Sequence, residues 1–167
     1  QVLEQLRLHP EGTPQARLSA IGRIIELDPL DRPAHLDRAV SLFSETETSA
    51  LGNWLISIGE AERTLAVLPE SRALSSLEAL TSRFNALLAL GRWESARALL
   101  DKAASVASPL QREVLMVRLL EKAGDPEAAR AHLEQAVFLA GRLGGESYLL
   151  PIATQAGQLG APEIQRQ

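Results

Sequence analysis

The three histidines, His9, His35 and His132, are the side chains of this 167-residue sequence best suited to binding a metal or carrying a proton near neutral pH. None has a second ligand at a metal-site spacing such as HExxH, and His35-Leu36-Asp37 is the nearest approach to one. There is no cysteine, which removes thiolate metal sites and disulfides and leaves the redox compartment open. Serine, threonine and carboxylate side chains abound, but no nucleophile elbow or phosphate loop frames them. Gly144-Gly145 has neither the lysine nor the strand-to-helix context that a phosphate loop requires. With no assembled acid, base and nucleophile, the expectation is a chain that is not an enzyme and that needs no cofactor or metal. Glu60, Glu62, Glu94 and Glu127 read as solvated helix-start residues rather than general acids. Trp54 and Trp93 lie on apolar helical faces and read as packing residues rather than ligand-stacking platforms.

The elements that would position any such group are clearest from Ser71 to Gly144, where one pattern occurs twice: an apolar helix, a glycine turn, and a second amphipathic helix. The turns are Gly91-Arg92-Trp93-Glu94 and Gly124-Asp125-Pro126-Glu127, and their glycines lie 33 residues apart. A period of that size marks a helical repeat array. Glycine ends a helix well because it adopts the left-handed conformation without a Cβ penalty. Glu94, Glu127 and Pro126 then suit the first turn of the next helix, where the dipole favours negative charge and an amide hydrogen has no partner. Trp93, Ala96, Leu100 and Ala103 make one apolar stripe, and Ala129, Leu133, Ala136 and Ala140 make the equivalent one. Alanine-rich stripes let helices approach closely, and a single hairpin cannot bury both of its apolar faces, so copies must stack.

These residues resemble a tetratricopeptide repeat. With the turn glycine at repeat position fifteen, Trp93 falls on the aromatic place, Ala96 and Ala103 on the alanine places and Leu100 on the large apolar place. Gly124 is followed in the same way by Ala129, Leu133 and Ala136, with Pro126 in place of the aromatic. The copy around Gly59 adds the Leu51-Gly52 pair, with Ala61, Thr64 and Leu68 at the corresponding places, and Gly160-Ala161-Pro162-Glu163 opens a further turn. The resemblance implies an all-α fold, a right-handed superhelical stack of antiparallel helix pairs, as one domain over 1–167. Its irregular repeats fall at about 1–44, 45–76, 77–109, 110–145 and a partial 146–167.

In that family the concave face is lined by the first helix of each pair. The register puts Asn53, Asn85 and Arg118 at one position in successive copies, flanked by Ser49, Thr81, Ser82, Glu78, Gln111 and Glu121. Polar groups on otherwise apolar helices suit a groove that hydrogen-bonds a peptide, and equally the wet side of amphipathic helices. The implied function is a non-enzymatic scaffold that binds a protein or peptide segment. Asn53 and Asn85 match the family's clamp for carboxylate-terminated peptides, but Ser49 and Thr81 stand where its lysine would be.

Composition agrees with stacked helices: 46% of residues are hydrophobic but only 4% aromatic, so the core is of alanine and leucine rather than of the β-branched and ring residues of a sheet. The net charge of −4, with both signs interspersed, gives no positive field to gather phosphates. That ranks an RNA-binding helical repeat, the alternative two-helix plan, below a protein-binding one. An accessory repeat domain of a larger enzyme or export machine is the third reading. No apolar run approaches a bilayer-spanning length, so membrane insertion is not expected, and soluble locations in cytoplasm or periplasm are both compatible.

Along the chain, Val2–Leu8 reads as the end of a helix, Thr13-Pro14 as a start with Leu18, Ile21 and Ile25 inward, and Asp28-Pro29 as its stop. Asp31-Arg32-Pro33 starts a helix with Leu36, Ala39, Val40 and Phe43 apolar, and 44–49 breaks the phase with a hydroxyl-rich stretch. A short helix from Glu60 to Leu68 follows, and near the other end Gly144-Gly145 stops a helix and Pro151 delays or kinks the next. About nine or ten helices are expected, in a segment cut from a longer repeat protein, with weak self-association through its exposed repeat ends.

Overall fold

Side-chain caps at Thr13, Ser76 and Ser108 start three of the helices, and left-handed glycines follow three of them. The structure is a computed structural model and describes residues 12–143. Among the described residues every regular element is helical, as expected, in nine α-helices. They are α1 (Pro14–Leu27), α2 (Arg32–Phe43), α3 (Thr48–Ser57), α4 (Ala61–Val67), α5 (Glu70–Ala73), α6 (Leu77–Ala89), α7 (Trp93–Lys102), α8 (Pro109–Ala123) and α9 (Pro126–Leu143). Two 3-10 turns, Pro29–Asp31 and Ala103–Ser105, complete them. Thr13 caps α1, its Oγ1 accepting from the Ala16 amide at 3.3 Å, and Pro14 occupies the first turn. Gly59, Gly91 and Gly124 have φ of +83°, +66° and +83°, the left-handed turns expected at those three positions. The expected features at Val2–Leu8, Gly144-Gly145, Pro151 and Gly160 lie outside the described residues.

The structure corrects one element. SRALSSLEALTSRFNALLALG reads as a single helix in the sequence but is broken at Leu74-Ser75-Ser76. Ser75 Oγ donates to the Arg72 carbonyl at 2.7 Å, and Ser76 Oγ accepts from the Ala79 amide at 3.2 Å, so both hydroxyls take over backbone groups and start α6 afresh. Ala73 is fully buried, which keeps the apolar rhythm running through the break.

Among the described residues the helices form two compact units, α1–α6 and α7–α9, that divide between Leu90 and Gly91. In the first, α1 packs on α2 and α3, α4 folds back on α3 across Gly59, and α6 packs on both α3 and α4. Leu18, Ile21 and Ile25 of α1, Leu36, Ala39 and Phe43 of α2, and Leu51 and Leu55 of α3 make a continuous core, each large side chain worth about 1.5–3 kcal/mol of burial. Trp54 packs against this core, as expected, with its Nε1 only 3.5 Å from where a Cβ on Gly22 would stand. Two guanidinium groups tie the helix ends together. Arg32 Nη2 donates to the Ile58 carbonyl (3.0 Å) and to Glu60 (2.9 Å), and Arg83 donates to the carbonyls of Leu65 (3.1 Å) and Leu68, which have no partner within α4.

In the second unit α8 packs on α7 and, most extensively, on α9. The expected stripe is inward: Ala129, Leu133, Ala136 and Ala140 are each at most 1% exposed. Ser108 and Gln111 form a capping box at the start of α8, the Gln111 amide donating to Ser108 Oγ (3.2 Å) and the Ser108 amide to Gln111 Oε1 (2.8 Å). No helix among the described residues is long and apolar enough to cross a membrane.

Candidate functional site

The hydroxyl-rich stretch after α2 builds one wall of a cleft. Backbone turns fix it, with the Glu47 amide donating to the Phe43 carbonyl at 3.0 Å and Thr48 Oγ1 to the Ser44 carbonyl at 2.6 Å. The opposite wall is the break before α6, and Arg72 Nη2 reaches across to the Glu45 carbonyl at 3.1 Å. Between them lies a space of about 390 Å³, lined among others by Glu45, Glu47, Ser49, Arg72 and Glu78. Three carboxylates against one guanidinium make the lining negative, in a concave setting that concentrates the field. Glu47 matters most here. Its Oε1 lies 3.8 Å from Arg17 Nη1, whose guanidinium sits 4.6 Å from the centre of the Phe43 ring, while its Oε2 is buried and takes no hydrogen bond. A buried carboxylate oxygen without a partner is an acceptor waiting for a donor.

Of the residues expected on a concave face, Ser49 and Glu78 line this cleft together. Asn53 is exposed on α3, while Thr81 and Asn85 are half-buried on α6; none of the three lines the cleft. Ser82 is fully buried, and its Oγ would lie 2.4 Å from a Cβ on Gly52, which places it in the core under α3. Gln111, Arg118 and Glu121 belong to the second unit. Gln111 spends its side chain on the capping box, and Glu121 has its carboxyl raised above the ordinary range by burial, partly offset by Arg118 and then Lys122. The residues that sequence reasoning missed are Glu45, Glu47 and Arg72. The phase break at 44–49 was the available signal, since a polar stretch that replaces a tight turn leaves room for a recess.

A second cluster joins the end of α1 to the start of α2. Asp28, Asp31 and His35 each bring a ligand atom to within 4.8 Å of the others. His132, by contrast, is engaged with Glu113, Nδ1 to Oε2, at 2.6 Å.

No family model matches this chain, and no curated protein and no solved structure shows a significant match to it.

Proposed function

We propose that the chain is a non-enzymatic protein-binding segment built on tetratricopeptide-like helix pairs stacked as a solenoid, and that its first unit recognises a partner segment carrying a basic side chain. The observation that carries this reading is the cleft between 45–49 and the start of α6, where a buried, unpartnered Glu47 oxygen and the carboxylates of Glu45 and Glu78 outnumber Arg72. A lysine or arginine side chain supplies the donors and the charge that this lining lacks. The same carboxylates repel phosphates, which supports protein over RNA as partner. The packing of α6 on both members of the α3–α4 hairpin supports the solenoid, because each new helix then covers the pair before it.

The test is fluorescence anisotropy with a panel of labelled peptides, lysine- and arginine-bearing against acidic and neutral ones of equal length, with a single-stranded RNA alongside. Basic peptides are expected to bind with an affinity that falls as salt rises, and Glu47→Gln and Glu78→Gln to weaken binding about tenfold. Equal binding of acidic peptides, or unchanged affinity in both variants, would exclude the cleft; preferential binding of RNA would overturn the reading itself.

A further inference from the structure

We propose that Asp28, Asp31 and His35 form a binding site for a transition-metal dication of the zinc class. The sequence gives no hint of it in the usual spacings, but the fold brings three donors of two kinds together. Asp28 closes α1, its amide donating to the Ile24 carbonyl at 2.9 Å. Pro29 opens the 3-10 turn that runs to Asp31, and Asp31 stands immediately before α2 with no capping hydrogen bond from its side chain. His35 follows Asp31 by four residues, in the first turn of α2. The backbone positions of all three are therefore set by hydrogen-bonded structure before any ion arrives.

The donor atoms all lie within 4.8 Å of one another. Ligands of a tetrahedral ion at about 2.0–2.1 Å sit somewhat closer than that, and the two aspartates can close the gap because both are exposed and their side chains can turn. An independent observation comes from the imidazole. His35 Nε2 is buried and takes no hydrogen bond, and its nearest carboxylate oxygen, Asp28 Oδ2, stands 3.7 Å away. Buried imidazole nitrogens are ordinarily satisfied, and the polypeptide supplies no hydrogen bond to this one. The adjacent cation does not compete for the site, since the Arg32 guanidinium is held by the Ile58 carbonyl and Glu60.

The donor set selects the ion. One imidazole with two carboxylates suits zinc, cobalt or nickel, whereas calcium and magnesium require more oxygen ligands and no nitrogen. With three protein ligands, at least one coordination position stays with water. The site is a clip between the end of one helix and the start of the next, and binding there stabilises the folded state by mass action.

Isothermal titration with zinc chloride and the visible spectrum of the cobalt-loaded chain test this directly. Saturation at one ion per chain is expected, with the absorption of a four- or five-coordinate cobalt ion and a melting temperature that rises with zinc. Asp31→Asn keeps the size of an exposed side chain that makes no cap bond, and His35→Gln removes the imidazole; each is expected to weaken binding by at least about tenfold. His132→Gln is expected to bind like the parent, and millimolar magnesium or calcium to leave the zinc isotherm unchanged. Undiminished binding in Asp31→Asn and His35→Gln would overturn the assignment, as would loss of binding in His132→Gln alone or the absence of saturable binding in the parent.

Discussion

Thr64 donates its hydroxyl to the carbonyl oxygen of Gly52 at 3.0 Å, so α4 is bonded to the backbone of α3 through a buried side chain. The contact depends on Gly52 having no side chain. A Cβ there would meet Ser82 Oγ at 2.4 Å, Leu68 Cδ1 at 3.0 Å and Thr64 Cγ2 at 3.1 Å. Alanine gains about 1 kcal/mol of helix propensity over glycine, but Ser82 on α6, Thr64 on α4 and Leu68 at the end of α4 must then move, and all three are fully buried. Gly52→Ala is expected to cost about 1–3 kcal/mol in urea unfolding. Ser82→Ala, which removes a buried hydroxyl without a partner, is expected to be neutral or stabilising on its own. In the Gly52→Ala background Ser82→Gly should recover part of the loss, and strict additivity of the pair would show that the two residues do not touch.

The α8–α9 interface rests on alanine. Ala129 is fully buried in the stripe that faces α8, so Ala129→Leu forces extra volume into a closed interface and is expected to cost about 1–3 kcal/mol. Arg97→Ala, at an exposed position on α7, serves as the control and should melt like the parent.

The capping box is expected to show in stability as well. Ser108→Ala leaves the Gln111 amide without its acceptor and should cost about 1 kcal/mol. Gln111→Ala should cost less, because the Ser108 amide it releases lies at an exposed position and can turn to water. If Gln111→Ala were silent in stability yet abolished peptide binding, Gln111 would be a recognition residue after all.

Glu121 makes the pH prediction. Burial raises its folded-state pKa above the ordinary 4.5, with Arg118 and Lys122 opposing. A carboxyl with a raised pKa binds its proton more tightly when folded, so its contribution to stability is full below 4.5 and is lost as pH rises through the higher folded value. Glu121→Gln mimics the protonated form. Its melting temperature relative to the parent is therefore expected to be more favourable at neutral pH than below 4.5. A difference that is constant across that window would show that the carboxyl is fully hydrated.

Much of this architecture can be read from the residues themselves. Gly59, Gly91 and Gly124 stand where apolar periodicity stops, and each adopts the positive φ that only glycine accepts cheaply. Leu18, Ile21 and Ile25 recur at helical spacing and are buried. What periodicity cannot show is where a hydroxyl prefers the backbone to its own helix, as at Ser75 and Ser76, because buried Ala73 and Leu80 keep the apolar rhythm intact on both sides. It also assigns polarity without depth. Ser82 occupies a position that a repeat register gives to the surface, yet it is buried because Gly52 lets the helices come together there. The Asp28, Asp31 and His35 cluster needed a bend between two helices, which spacing along a single helix does not encode.

The succession of short hairpins has a kinetic consequence. In each unit the helices that pack together are neighbours a short way along the chain, so little loop-closure entropy has to be lost before the first native contacts form. Chains with such local contacts cross their folding barriers in roughly microseconds to milliseconds. The turn glycines, which leave the unfolded chain loose at Gly59 and Gly124, lie just where a growing helix must reverse, so the search for the second helix of each pair starts with the first already beside it.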